Sequence, residues 1–178
     1  YLASDQDLEV ISIWHPSLFL VLWEHLASRR ERIADLIEGK ARIQERAIPK
    51  SPLSIDLLRG RSPLSTRELW PRLRFVSAWE SAGSALSAHA LRELLPHASF
   101  QGKGLLATEA PMTLPLLGPD GQSTPYPFLN DVLFEFRDES GRYHWIDELE
   151  NNREYSLVIS QRGGFLRYDM RDRVLARR

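Results

Sequence analysis

The sequence predicts an α/β fold with a helical N-terminal half and a strand-rich C-terminal half. Three observations lead there. Apolar residues recur at helical spacing through residues 17–38. A buried-strand run, Leu73 to Trp79 (LRFVSAW), is followed by a helical stretch, Ser81 to Leu95, and then by further apolar segments. In the last third, Val132 to Arg137 (VLFEFR) alternates apolar and polar residues, and Glu154 to Gln161 (EYSLVISQ) reads as a further strand.

The elements follow in order. Leu8 to Ile13 alternates weakly and meets His15-Pro16-Ser17, where proline suits a first helical turn. A helix is expected from there to Glu38, its front a solid apolar block, Leu18 to Trp23, buried all round, and its back amphipathic. Gly39 is the expected C-cap. Ile48 to Pro63, with its prolines, reads as a connector holding at most a short helix. Ser65-Thr66-Arg67-Glu68 has capping-box spacing, so a short helix starts there and stops at Pro71, with Trp70 at its end. In the helix Ser81 to Leu95, residues Ala82, Ala85, Leu86, Ala88, Leu91, Leu94 and Leu95 share a face. Met112 to Leu117 is a strand, and Gly118-Pro119-Asp120-Gly121 is turn chemistry. In VLFEFR, Val132, Phe134 and Phe136 face one side and Leu133 and Glu135 the other. The basic tail, Arg173 to Arg178, reads as a solvated helix start.

Composition bounds the function. The 178 residues are 43% apolar and 26% charged, which excludes collagen-like, mucin-like and disordered chains and favours one folding unit. A net charge of −1 gives no positive field for nucleic acid or an anionic membrane. With no cysteine there is no disulfide framework, thiolate zinc site or cysteine nucleophile, and the chain suits a reducing cytoplasm. The longest apolar run, Leu18 to Trp23, is far short of the roughly 20 residues of a membrane span. The chain begins at Tyr1 with no methionine and no signal-peptide pattern, and is expected to be a fragment of something longer.

Two segments combine glycine, an apolar lead-in and polar residues at the lip: Gln101 to Ala110 and Gly163 to Asp172. A strand ending in Thr108-Glu109 places a hydroxyl beside a carboxylate, a pair suited to an anion together with a hard cation such as magnesium. The five histidines show no metal spacing.

The string QGKGLLATEAPMTLPL, Gln101 to Leu116, resembles the central motif of the Gretchen Hagen family of acyl-acid amido synthetases, the auxin-responsive conjugating enzymes of plants and their bacterial relatives in the adenylate-forming superfamily. The other motifs come in the family's order. His15-Pro16-Ser17-Leu18-Phe19 with Trp23-Glu24-His25-Leu26 resembles its pocket helix, Leu69-Trp70-Pro71 and Ser77-Ala78-Trp79 are similar to its LWP and S-x-W segments, and Phe134-Glu135-Phe136 matches its FEF strand. Tyr155 to Ser160 and Gly164-Phe165-Leu166-Arg167-Tyr168 to Asp172 resemble its YELV-T strand and TGLYRYRLGD motif.

The resemblance implies a large-domain fragment of an adenylate-forming enzyme, with residues 1–172 its central and C-terminal part and 173–178 the start of a hinge. It implies an ATP-dependent ligase in which a small carboxylic acid attacks the α-phosphate, giving an acyl-adenylate and pyrophosphate, and an amino acid then displaces AMP to form an amide. Thr108 would bond the α-phosphate beside Ala107, Glu109 would hold magnesium, Tyr168 would flank the nucleotide and Asp172 would accept the ribose hydroxyls. Ser17, Phe19, Leu20, Trp23, Ser77 and Trp79 would lie near the acyl group.

There are departures. The family's RYRLGD is RYDMRD here, so Asp169 adds a negative charge and Arg171 replaces a glycine, harmless only at negative φ. The family's phosphate loop would precede Tyr1 and its mobile C-terminal domain would follow Asp172, so the 178 residues alone are expected to bind nucleotide poorly and turn nothing over. Asp169 and Arg171 keep open a degenerate, non-catalytic binding module. The cluster Asp147, Glu148 and Glu150 keeps open a magnesium-dependent hydrolase.

Overall fold

A computed structural model describes residues 1–41, 48–60, 63–119 and 123–177. The turn expected at Asp120-Gly121 and the tail residue Arg178 lie outside the described residues. The chain divides into two compact units where its length had favoured one: Tyr1–Gly104 with Pro115–Thr124, and Leu105–Leu114 with Pro125–Arg178.

In the first unit three short strands, β1 (Val10–Ser12), β2 (Phe75–Ala78) and β3 (Ser99–Gly102), form a parallel sheet in the order β1-β2-β3. Parallel neighbours need crossovers, and helices supply them. Between β1 and β2 run α1 (Pro16–Ser28), α2 (Arg30–Glu38), α3 (Pro52–Arg59) and α4 (Thr66–Leu69); between β2 and β3 runs α5 (Ala85–Leu94) behind a 3-10 turn, Ala82–Ser84. The local signals that start and stop these helices are present. Pro16 occupies the first turn of α1, the Ser65 hydroxyl accepts the Glu68 N–H, and Gly39 ends α2 at φ 89°.

Three expectations change. The helix expected over residues 17–38 is two helices, broken at Arg29 (φ −121°, ψ 28°). Beside the break the Ser28 hydroxyl donates to the His25 carbonyl, a local bond that competes with helical pairing. The Arg30 guanidinium then ties α2 to the carbonyls of Leu57, Leu58 and Gly60 at the end of α3, while Arg59 bonds Asp35 and Glu38. With Lys40 assisting, Arg59 holds the Glu38 carboxyl at about 2. Secondly, the front of α1 is not buried all round. Phe19 and Leu26 face the core, Leu20 and Trp23 are half-buried, and Leu18, Val21 and Leu22 are about half exposed. A continuous apolar run carries no periodicity to say which face is inward. Thirdly, Leu86 stands on the outer face of α5, whereas Ala88 and Leu91 are fully buried.

The core of this unit gathers on Trp70, fully buried at the end of α4. Its ring meets Phe19 and Trp23, each at 5.7 Å between centroids, and its Nε1–H donates to the Leu2 carbonyl at 2.8 Å. Indole burial of this kind stabilises through area and satisfies its one donor.

The second sheet of the molecule is a two-stranded ribbon, β4 (Thr113–Leu117) with β5 (Ser123–Pro127), whose residues fall partly in each unit. The second unit is built on an antiparallel sheet of β6 (Val132–Arg137), β7 (Tyr143–His144), β8 (Glu154–Gln161) and β9 (Tyr168–Leu175), ordered β7-β6-β8-β9. As the alternation predicts, Val132, Phe134 and Phe136 are buried and Leu133 is exposed. They pack with Ala110, Met112, Tyr155, Leu157 and Ile159. Instead of starting a helix, residues 173–175 continue β9.

The β6–β7 turn is organised by Asp138. Its carboxylate accepts the Ser140 hydroxyl (2.6 Å), the N–H groups of Ser140 (2.9 Å) and Arg142 (3.0 Å), and pairs with His144 Nε2 (2.9 Å). Led by the Ser140 hydroxyl and His144, these bonds hold the Asp138 carboxyl far below the usual carboxylate range, against the opposing effect of burial.

Two outcomes follow for stability. Trp70→Ala should cost about 3–5 kcal/mol in a chemical denaturation curve, the largest loss expected for any single truncation in the first unit. Because the Asp138 pKa is depressed in the folded state, its contribution is present above the ordinary aspartate pKa and is lost as pH falls through that range towards the folded value. Asp138→Asn should therefore lower stability at neutral pH and flatten its decline between about pH 4 and pH 2, as read from denaturation midpoints.

Candidate functional site

The Thr108–Glu109 segment lies at the tip of a tight loop in the second unit. Its base is closed by main-chain bonds: the Met112 and Thr113 N–H groups donate to the Leu105 carbonyl, and the Ala107 N–H to the Ala110 carbonyl. The Thr113 hydroxyl accepts the Leu105 N–H at 2.7 Å. A buried Ala110 and Met112 pin the returning side into the core, leaving Ala107 and Glu109 half-buried and Thr108 exposed. The Thr108 hydroxyl donates to Glu109 Oε2 at 2.9 Å.

This loop is fastened to the sheet by Gln161, the last residue of β8. Its Nε2 donates to the Glu109 carbonyl at 3.3 Å, while its Oε1 accepts the Gly163 N–H. The turn beyond is closed by Gln161 N–H to the Phe165 carbonyl (2.9 Å) and by Gly164 at φ 113°. One carboxamide thus holds both glycine-bearing segments singled out in the sequence.

β9 carries the next two candidates. Tyr168 stands opposite Ile159 and packs its ring against Phe165 at 4.8 Å. The register with β8 then shifts: Asp169 pairs with Val158 but Arg173 pairs with Ser156, so residues 170–172 bulge opposite Leu157. Asp172 sits in that bulge, exposed, with no hydrogen bond or ion pair to any described residue. Both oxygens of its carboxylate are therefore open to hydroxyl donors.

The two departures take definite places. Asp169 is not a bare negative charge: Arg137 Nη2 meets it at 2.8 Å. Arg171 is at φ 60°, so the condition under which it would have been harmless is not met; the position takes the left-handed conformation that favours glycine. Asp169 Oδ1 accepts the Arg171 N–H at 3.0 Å.

In the first unit the acyl-group candidates do not form one cluster. The Ser17 N–H donates to Nδ1 of His15, and its hydroxyl lies 2.7 Å from the same atom at the start of α1. Phe19 is only 2% exposed and lies with Trp23 against Trp70. Leu20 packs on the same core. Trp23 also borders an open groove of about 490 Å³ with Arg67, Glu93 and His97, where burial first, and Arg67 second, hold the His97 ring below the ordinary imidazole value. Ser77 and Trp79 belong to the end of β2, and Trp79 meets Trp14 at 5.5 Å. Trp14 and Lys103 were not among the expected site residues; they lie just past the ends of β1 and β3, where the Lys103 ammonium is 5.5 Å from the centre of the Trp14 ring.

The acidic cluster is employed structurally. The Glu148 carboxylate accepts the Trp145 N–H at 2.8 Å, capping the 3-10 turn Ile146–Glu148, and Glu150 pairs with Arg153 at 2.9 Å. Among the described residues no three His, Asp or Glu side chains converge as metal ligands. No described helix is long and apolar enough to cross a membrane.

Comparison with known proteins agrees with the motif resemblance. Residues 127–177 match the model of the GH3 family central domain. Two solved structures superpose over 99% of this chain: AtGH3.15 acyl acid amido synthetase in complex with 2,4-DB, at 13% identity and a TM-score of 0.76, and GH3.15 acyl acid amido synthetase, at 15% and 0.77. The chain covers 34% and 35% of those chains, about a third of their length. No curated protein matches by sequence. The family model thus supports the resemblance to the Gretchen Hagen, or GH3, family over residues 127–177, and the chain shares its α/β fold with the two solved structures.

Restoring glycine at the left-handed position has a definite consequence. Arg171→Gly should raise stability by up to about 1 kcal/mol, the relief of left-handed strain exceeding the added entropy of the unfolded chain. A lowered denaturation midpoint in this variant would show that the φ 60° conformation carries no strain.

Proposed function

We propose that this chain is part of an ATP-dependent acyl-acid amido synthetase that activates a carboxylic acid as its adenylate and passes the acyl group to an amino acid, in a reducing compartment such as the cytoplasm. The observation that carries the reading is the joint anchoring of the two motif segments by Gln161, with the Thr108–Glu109 pair on one and Tyr168 and Asp172 on the strand that follows the other.

The residues fit the groups such a reaction needs. Asp172, exposed and without a partner among the described residues, has the acceptor capacity for two ribose hydroxyls. The Tyr168 ring, held at a tilt against Phe165, offers a face for the nucleoside. Glu109 is a single carboxylate, which suits magnesium because that ion usually takes one or two protein carboxylates and completes its shell with phosphate oxygens and water. When bound, the ion would neutralise charge developing on the phosphates. Thr108, whose hydroxyl now donates to Glu109, needs only a side-chain rotation to present it to a phosphate oxygen. Since the synthetase structures it resembles are about three times as long, the 178 residues alone are expected to bind nucleotide weakly and not to turn over.

The test is carboxylate-dependent exchange of pyrophosphate into ATP by a longer protein that includes this chain. Exchange should require magnesium, and Glu109→Gln should lower it by about 100-fold or more, the scale of a lost transition-state charge contact. Asp172→Ala should raise the ATP concentration needed for half-maximal exchange. An unchanged ATP requirement in that variant, or full exchange with Glu109→Gln, would refute the assignments.

A further inference from the structure

The carboxamide of Gln161 carries a donor and an acceptor on one rigid plane, and both are in use. Its Nε2 donates to the Glu109 carbonyl at 3.3 Å, and its Oε1 accepts the Gly163 N–H. Turned over, the amide would set oxygen against the carbonyl and NH2 against the N–H, so the two partners together fix its orientation. Gly163 leaves the room this needs. A Cβ there would stand 2.7 Å from Oε1 and 2.8 Å from Nε2 of Gln161, well inside ordinary contact distance. Backbone shape does not demand this glycine, because positive φ falls on its neighbour Gly164 and not on Gly163. The space of its missing side chain is where the carboxamide lies.

What the carboxamide holds has little else to hold it. The loop is closed at its base, where the Met112 and Thr113 N–H groups donate to the Leu105 carbonyl. Nearer the tip the bonds are internal: the Ala107 N–H meets the Ala110 carbonyl, and the Thr108 hydroxyl meets Glu109. Among the described residues, the Gln161 amide supplies the one hydrogen bond that ties Thr108 or Glu109 to the sheet. On its far side the same residue starts the turn into β9. The Gln161 N–H donates to the Phe165 carbonyl at 2.9 Å, and the Phe165 ring lies 4.8 Å from that of Tyr168. A short run of contacts therefore joins Glu109 to Tyr168 through Gln161.

We propose that Gln161 is a positioning residue that couples the Thr108–Glu109 loop to the turn leading into β9, so that a displacement of the turn is felt at the loop. The coupling stands on hydrogen bonds and packing; its use, holding the Glu109 carboxylate in place for a nucleotide on β9, rests on the synthetase reading. Two substitutions divide the bridge. Glutamate keeps an acceptor for the Gly163 N–H but sets an oxygen against the Glu109 carbonyl, and methionine keeps the length of the side chain and loses both bonds. Gly163→Ala leaves Gln161 in the chain and takes away its room.

The test measures backbone order parameters by NMR relaxation in the 178-residue chain, a property of the folded state that a mere loss of stability does not move. The Thr108 and Glu109 amides should stand near the rigid value of about 0.85 in the unchanged chain and fall below about 0.6 in Gln161→Glu and Gln161→Met. Val158 and Ile159, within β8, should stay rigid throughout. Gly163→Ala should loosen the loop as well, and should add nothing in the Gln161→Met background. If Gln161→Met fails to fold by circular dichroism, Gln161→Glu serves as that background. A loop already flexible in the unchanged chain, a loop still rigid in either the Gln161 variants or Gly163→Ala, or a Gly163→Ala effect that persists without Gln161 would overturn the coupling. Pyrophosphate exchange by the longer protein separates the two ideas. There Gln161→Glu should raise the magnesium concentration for half-maximal exchange about fivefold, the size of one neutral hydrogen bond; an unchanged requirement would overturn the positioning role. A loop loosened by Gln161→Glu in a protein that performs no exchange leaves the coupling standing and the synthetase reading fallen, and exchange with a loop indifferent to Gln161 does the opposite.

Discussion

The second unit hangs on the pairing of β8. This strand is bonded along both edges, to β6 from Val132↔Gln161 through Arg137↔Ser156 and to β9 from Ile159↔Tyr168 to Glu154↔Leu175. Its main-chain donors and acceptors are therefore committed, and a slip of one residue would turn Leu157 and Ile159 out of the core. Hydrophobic burial fixes the register. Once it is fixed, Gln161 must stand at the strand's end, within reach of the Thr108–Glu109 loop, and the β9 bulge must fall opposite Leu157, where it exposes Asp172. Apolar packing thus decides where the polar candidates stand.

A similar logic runs through the first unit with parallel geometry. β1, β2 and β3 are short, and their in-step ends bring three sequence-distant segments to a single edge. The crossovers bring the chain back to the same end each time, so the residues just past each strand accumulate there. Trp70 holds the helices of the first crossover together from beneath, through Phe19, Trp23 and the Leu2 carbonyl.

What was legible in the sequence follows from how local each signal is. Helix starts at Pro16 and Ser65, the stop at Gly39, and the strands of residues 132–137 and 154–161 all rest on neighbours within a few positions, and all are present. β3 and β5 went unread because Ser99–Gly102 and Ser123–Pro127 lack a run of β-branched residues and owe their extended form to pairing, β3 with the distant β2 and β5 with β4. The face of α1 was misjudged because Leu18 to Trp23 is apolar throughout, and only packing on Trp70 selects Phe19 over Leu18. At the candidate site, residue types were readable from the motif resemblance. The Gln161 bridge and the Trp14–Trp79–Lys103 contacts were not, since both exist only through pairing register.

The two departures from the family's nucleotide motif are a single local change rather than two independent losses. Asp169 accepts the N–H of Arg171, the residue two positions on, in the manner by which aspartate side chains stabilise turns. That bond supports the left-handed backbone at Arg171, where glycine would need no support. The other carboxylate oxygen meets Arg137, which reaches across β8 from the neighbouring strand, so the charge introduced by Asp169 is balanced before any anion approaches. Here each departing residue has a partner, the bulge is intact, and Asp172 remains exposed within it. The Asp169–Arg171 bond thus braces the bulge in which Asp172 is exposed.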